Sequence, residues 1–337
     1  MKLLLLPLMG PFHLRYPQYN AVSVQGAVAA FEPEAIATTA LEPESLETPR
    51  WQDTPETPLP HTVVPWAKRQ SIPIHPVFEP TPDPNALADF RRYVGQYPQL
   101  RGNLQQGDAL LRPLRALLEE GLTLSRILDE VVPLLHEQQA FLETAFEEGP
   151  ATDWLRTRVE KMAERILALP FERVAVLASI DHLPFLQAAL RAKAELAEAP
   201  PLQATPESRE RALLDFAFRV DVPEPGNVLA QLRDVKNAEA RYHEANLLTA
   251  NAHVAEALEV LETASRGDFG EPYYLPGYLL ARLGQLYDLA GNRDAALRSY
   301  RGVRALGYAP QEALQVAAEG LEQPFGLEES EAEAEGS

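Results

Sequence analysis

The sequence predicts an α/β domain, built on a small mostly parallel sheet with a large helical insertion, followed by an all-α domain of helical repeats. Three observations predict it. Fifteen of the 30 prolines fall before residue 85, which keeps long helices out of that region. Short apolar runs of strand length occur at 2–9, 35–41, 71–78 and 172–178, set apart by segments long enough for crossovers. After a proline-rich linker at about 200–206, the pattern is helical almost throughout.

The run 2–9 reads as a buried first strand. A signal peptide is the alternative, but the run is too short to span a membrane, and Pro11-Phe12-His13-Leu14-Arg15 follows in place of a small-residue cleavage site. Residues 19–31 suit a short helix ending at Glu32-Pro33, and 35–41 a second strand. A proline- and acid-rich loop, 42–60, leads to a turn of helix at 63–69 and a third strand at 71–78. That alternation is the signature of a parallel sheet with crossovers. From about 85 to 168 the chain reads as helix, with Leu110, Leu111, Leu114, Leu117 and Leu118 at helical spacing. Thr152-Asp153, after Gly149-Pro150, offers an N-cap. Residues 172–178 form the fourth strand and 184–199 a helix, so the first domain spans 1–200 and the second 201–326.

In the second domain Leu283-Gly284, Tyr287, Ala296 and Tyr300 have the spacing of a tetratricopeptide repeat, with small residues where two helices cross and large ones filling the gap. Leu248, Ala257 and Leu261 match the same offsets more weakly, and Ala257 lies 39 residues before Ala296, an excess explained by an insertion at 266–274. A closing helix is expected at 311–321. The segment 327–337 holds five Glu and no basic residue and is expected to be a disordered acidic tail.

Composition removes several function classes. Acidic residues number 49 and basic ones 30, a net charge of −19. Sequence-independent nucleic-acid binding and docking on anionic membranes both need the opposite sign. There is no cysteine, which excludes disulfides, thiolate zinc sites, iron–sulfur clusters and cysteine nucleophiles. No P-loop, G-x-G-x-x-G or H-E-x-x-H motif occurs. The reading is a soluble cytoplasmic protein with no membrane span and no nucleic-acid partner.

In a parallel sheet, ligands bind beyond the carboxyl ends of the strands. The polar residues just past each run are Gly10 and His13; Thr38, Thr39 and Glu42; His75 and Glu79; and Ser179, Asp181 and His182. Imidazoles and carboxylates on one rim could hold a divalent cation or act as an acid–base pair. Gly10-Pro11-Phe12-His13 is a G-x-x-H arrangement directly after a strand, and Ser179-Ile180-Asp181-His182 repeats it with Ser for Gly.

These motifs resemble the TraB family, which includes the Tiki metalloproteases and is distantly similar to erythromycin-esterase-like and ChaN haem-binding proteins. The resemblance covers roughly residues 1–195. It pairs a first-strand and a last-strand G-x-x-H across a helical insertion. Arg158-Val159-Glu160-Lys161-Met162-Ala163 stands where the family carries Arg-(Asp/Asn)-x-x-(Met/Leu)-Ala. The departures are Ser179 for Gly, Val159 for Asp or Asn, and Thr39 where the family has a Glu. The resemblance implies a metal-dependent hydrolase or protease holding Mn, Co or Zn. His13, His182 and Glu79 would be ligands, and Glu42, Arg158 and Asp181 catalytic residues. The missing Glu implies a diverged member whose pocket is no longer catalytic.

Each candidate has an ordinary structural alternative. His13 and His182 suit strand-end histidines bonded to backbone, Glu42 and Glu79 solvated loop acids, and Arg158 an ion pair. Asp181 suits a cap on the helix that Pro184 begins. Tyr273, Tyr274 and Tyr278 are candidates for binding a protein or peptide partner, while Tyr287 and Tyr300 suit the repeat's own core. The sequence therefore points first to an interaction protein working through its helical repeats, and second to the hydrolase.

Overall fold

A computed structural model describes residues 1–80, 85–146, 153–218, 222 and 224–326. The chain divides into two compact units, Met1–Ala212 and Leu213–Ser337, and the boundary falls inside one helix, α10 (Pro206–Ala217). Among the described residues no helix is long and apolar enough to cross a membrane. The segment expected as a disordered tail lies outside the described residues.

The first unit is built on five strands, β1 (Lys2–Leu8), β2 (Ala35–Thr38), β3 (Ile74–Pro76), β4 (Arg173–Ser179) and β5 (Glu195–Ala197). All pair in parallel, in the order β3-β2-β4-β1-β5. The centre is β1 against β4, from Lys2 opposite Arg173 to Leu8 opposite Ser179. Both are near-continuous apolar runs, as strands covered on both faces must be. Leu3, Leu6, Leu8 and Val174 through Ala178 have no exposed surface, and each fully buried leucine or valine contributes about 1.5–3 kcal/mol.

Helix α1 (Ala21–Phe31) starts where Asn20 Oδ1 accepts from Ser23 N, and it stops at Glu32, whose left-handed φ of 51° precedes Pro33. Helix α2 (Val64–Gln70) follows a π turn at Leu59–Val63, and that turn packs against α1. The insertion comprises α3 (Ala86–Gln96), α4 (Pro98–Leu110), α5 (Arg112–Glu119), α6 (Leu124–Arg126), α7 (Val132–Phe146) and α8 (Asp153–Leu167). The expected cap at Thr152 lies outside the described residues. Helix α9 (Leu183–Arg191) packs on α8. The β1-to-β2 and β4-to-β5 connections run in opposite directions along the sheet. Right-handed crossovers therefore place α1 and α9 on opposite faces.

Two elements depart from the sequence reading. The third strand shrinks from 71–78 to three residues, because Pro73 and Pro76 have no N–H for the ladder. The helix expected over 184–199 ends at Arg191, and Glu195–Ala197 becomes the edge strand β5, paired with Lys2–Leu4. The run Ala194-Glu195-Leu196-Ala197 favours helix, and the open edge of β1 overrides that propensity.

Among the described residues the second unit has helices and no strand. It contains α11 (Pro225–Asp234), α12 (Ala238–Ala250), α13 (Val254–Ser265), α14 (Leu275–Leu289), α15 (Arg293–Ala305) and α16 (Gln311–Glu322). Short turns join α12 to α13 and α14 to α15, making packed antiparallel pairs, and α16 lies against both α14 and α15. The asparagines before α12 and α15, Asn237 and Asn292, cap them by accepting from Ala240 N and Ala295 N. Tyr300 is wholly buried between Gly284 and Gly320. A Cβ on either glycine would lie 2.3 Å from the Tyr300 ring, so the Leu283-Gly284 to Tyr300 spacing is a packing requirement.

Gly284→Ala and Gly320→Ala should therefore each cost about 1–3 kcal/mol by overpacking. Gly307→Ala, with nothing within 4 Å of the new methyl, should leave the urea midpoint unchanged. Equal midpoints for all three variants would contradict this packing.

Candidate functional site

The connections leaving β1 and β4 run in opposite directions along the sheet, the topology at which open parallel sheets bind ligands beyond the carboxyl ends of their strands. After β1 the chain turns at Gly10, φ 58°, into a short 3-10 turn, Gly10–Arg15. His13 lies inside that turn and is 1% exposed. Its Nε2 accepts from Met9 N at 2.9 Å, and its Nδ1 donates to Tyr19 O at 2.8 Å. A carbonyl can only accept, so the proton is on Nδ1. Burial holds this imidazole neutral, with its pKa lowered to about 4 against a weaker opposing pull from the Tyr19 carbonyl. His13 thus uses both ring nitrogens to fasten the reversal after β1.

His182 follows β4 and is 7% exposed. Its Nδ1 lies 2.9 Å from Thr39 Oγ1, and that hydroxyl also accepts from Ser179 N at 3.0 Å. Either Thr39 donates to Nδ1 or Nδ1 donates to Thr39; both orient the ring and leave Nε2 without a hydrogen-bond partner among the described residues. Burial first, and the Arg158 charge second, lower its pKa to about 4. Thr39, at the place where the resemblance expects a Glu, therefore aims the second histidine.

A residue absent from the sequence reading completes the site. Glu56, from the loop after β2, is 8% exposed. Its Oε2 accepts from Gly10 N at 2.6 Å, and its carboxyl also bonds the Ser179 side chain. Burial raises its pKa, the two hydrogen bonds oppose that, and the Asp181 charge raises it further. Glu56 thereby ties the ends of β1 and β4 together. The loop 42–60 also carries Glu42, Glu44, Glu47 and Asp53, and nothing in its pattern marks which acid turns inward.

The remaining candidates take separate places. Asp181 keeps exposed surface, and partial desolvation of its carboxyl raises its pKa. It does not cap α9, whose N-cap is His182 without a side-chain bond. Arg158 donates from Nε to Glu79 O at 2.7 Å and lies over the Phe78 ring at 5.2 Å. Glu79 is held by Lys161 at 3.0 Å and by Arg165, and the Lys161 hydrogen bond chiefly lowers its pKa. Glu42 is exposed and lines a cleft of about 300 Å³ with Ser45, Asp53 and Thr54.

The donors do not fit the expected metal. Of the three expected ligands, His13 has both nitrogens occupied, Glu79 is tied to two cations, and His182 alone keeps a donor atom open. Among the described residues no three His, Asp or Glu side chains are grouped to hold a metal ion. The strand ends thus hold a neutral imidazole with one ring nitrogen open, His182, and a buried carboxyl, Glu56; both are groups that can take up and give back a proton.

In the second unit the three candidate tyrosines do gather. Tyr273 and Tyr278 flank Tyr274 at 5.4 and 5.9 Å between ring centroids. Phe218, Tyr242, His243 and Tyr308 extend the cluster. Tyr274 is buried with its hydroxyl on Glu239, and Tyr278 donates to Glu312 at 2.9 Å. Phe218 is 41% exposed. Comparison of the chain with protein-family models, curated proteins and solved structures finds no match.

At pH 7 nitrogen-detected NMR should show His13 as the Nδ1–H tautomer. Both His13 and His182 should stay neutral until the pH falls to about 4. Unfolded imidazoles take up protons near pH 6.5, so these two sites withdraw stability as the pH falls from about 6.5 to about 4. Titration of either ring near 6.5 in the folded protein would contradict this geometry.

Proposed function

We propose that this chain is an interaction protein whose helical unit holds a peptide or protein partner along the aromatic face of α12 and α14. One observation carries the reading. Six further rings cluster with Tyr274, and Phe218 stands partly open to solvent at their edge. Aromatic side chains supply large contact area with little rotamer freedom to lose, which is why they dominate binding surfaces. The tetratricopeptide-like spacing supports it, since stacked helix pairs of that kind present extended surfaces to partners. In this reading the α/β unit is a TraB-like scaffold with a small polar pocket, in which Thr39 and Glu56 take the place of the family's metal-binding acid.

A second reading, a hydrolase without the expected ligand set, is favoured by a specific feature. His182 keeps Nε2 open while Thr39 fixes its other nitrogen. Asp181, next to His182 in the chain, and Arg158, whose charge acts on that ring, would then assist proton transfer and anion binding.

Selection of a random-peptide library on the full chain separates the two. The interaction reading expects enriched sequences whose binding weakens about tenfold or more, ~1.4 kcal/mol, in Phe218→Ala and in Tyr278→Ala. It expects no change in Tyr93→Ala, an exposed ring of the other unit. No enrichment, or equal affinity for all variants, would overturn it. Hydrolysis of an ester panel by the same preparation, slowed about 10²–10⁴-fold in His182→Asn, would establish the second reading instead.

A further inference from the structure

Helix α3 and the turn after it expose two aromatic rings that the fold does not use. Tyr93 is 55% and Tyr97 47% exposed, two of the four large hydrophobic side chains left open among the described residues. Their ring centroids are 5.0 Å apart. The inward face of α3 is anchored without them. Val94 has no exposed surface, and Phe90 meets Phe146 edge-on at 5.3 Å. Helix α4 packs on α3 and is seated in turn on α7. Scattered single apolar residues on a surface need no explanation, but two open tyrosines against each other make a patch, and tyrosine is enriched where proteins meet.

The charge around the rings is positive on balance. Residues 85–118 hold five arginines, two aspartates and no glutamate or lysine, a net +3 in a chain of net −19. Asp89, one turn before Tyr93, is held by Arg92 at 2.9 Å. Arg101 lies one turn after Tyr97, with its N–H on the Tyr97 carbonyl at 3.0 Å. It is exposed, and among the described residues it forms no ion pair. The first turn of α4 holds no acidic residue and its cap makes no side-chain bond, so the positive end of that helix adds to the same sign. Ring faces beside an open guanidinium suit a partner that brings carboxylates together with flat apolar side chains. A long polyanion such as nucleic acid fits less well, because the charge of the whole chain repels it.

We propose that Tyr93, Tyr97 and Arg101 form a docking surface for an acidic, aromatic-bearing peptide segment of another protein. The tyrosines supply contact area at low entropy cost, and Arg101 takes a carboxylate through its planar fork. The surface belongs to the first unit and is independent of the aromatic face of α12 and α14; the two are told apart by which variant loses binding. It is open to solvent, so binding is weak and falls as salt rises.

Amide NMR of the full chain, titrated with a capped peptide of repeated Glu-Glu-Phe-Asp, tests the proposal. Amides between Arg92 and Gly102 should shift saturably, with affinity falling severalfold between about 0.05 and about 0.5 M salt. Affinity should fall about tenfold or more in the double variant Y93A/Y97A and severalfold in Arg101→Glu. All three side chains are exposed, and an unchanged urea midpoint checks that the variants fold. Arg304→Glu, an exposed position of the other unit, should bind as the parent chain does. Absence of saturable shifts, equal binding of a Gln-Gln-Phe-Asn peptide, or unchanged affinity in both variants would overturn the proposal. Tighter binding of oligothymidylate at the same amides would overturn it in favour of nucleic acid. Shifts of those amides with protein concentration alone would overturn it in favour of a second copy of the chain.

Discussion

The parallel ladder between β1 and β4 is the constraint on which the first unit depends. Seven residues of each strand pair in register at the middle of the sheet; β5 attaches to β1, β2 to β4, and β3 to β2. The partners are far apart in sequence, with Lys2 opposite Arg173. Closing so long a loop costs only slightly more than closing a shorter one, because the entropy grows with the logarithm of length. A helical insertion of this size is therefore tolerated within a crossover, and the paired ends of β1 and β4 stay where a site can form.

At those ends the turns are held by side chains rather than by the ladder. Gly10 N–H goes to Glu56, Met9 N–H to His13 and Ser179 N–H to Thr39. Each bond satisfies a backbone donor that the strands cannot. The same groups set the chemistry. Removing water around His13 and His182 keeps both imidazoles neutral, and the carboxyl of Glu56 is raised by the same burial. Structural and chemical roles coincide in these residues, but they part at the two histidines: His13 is spent on backbone and His182 is left half open.

Much of the architecture was legible because it rests on local pattern. The strand runs, the insertion and the helix pairs follow from apolar periodicity and proline placement. Edge strand β5 was not, since Glu195–Ala197 has helical propensity and becomes extended only because β1 offers an open edge. The site was legible in place more than in composition. Strand ends pointed to His13, Thr39, Asp181 and His182, and the G-x-x-H spacing marked two histidines that follow the adjacent strands β1 and β4. It could not say that Tyr19 O and Met9 N would use up His13. Glu56 was invisible, because its inward turn depends on Gly10 and Ser179, which lie 46 positions before it and well over a hundred after it in the chain. In the helical unit, Tyr300 was placed correctly by its spacing from Gly284, whereas the contact of Phe218 with Tyr274 joins residues with no pattern between them.

The central claim is that the turns after β1 and β4 form a closed, prebuilt polar network. Residue-resolved hydrogen exchange on the native protein addresses it most directly. The amides of Met9, Gly10 and Ser179 are predicted to exchange as slowly as those of the β1–β4 ladder, because each is bonded to a buried side chain and opens only when the unit does. Exchange of these three at the rate of open loop amides, with the ladder still protected, would contradict the account.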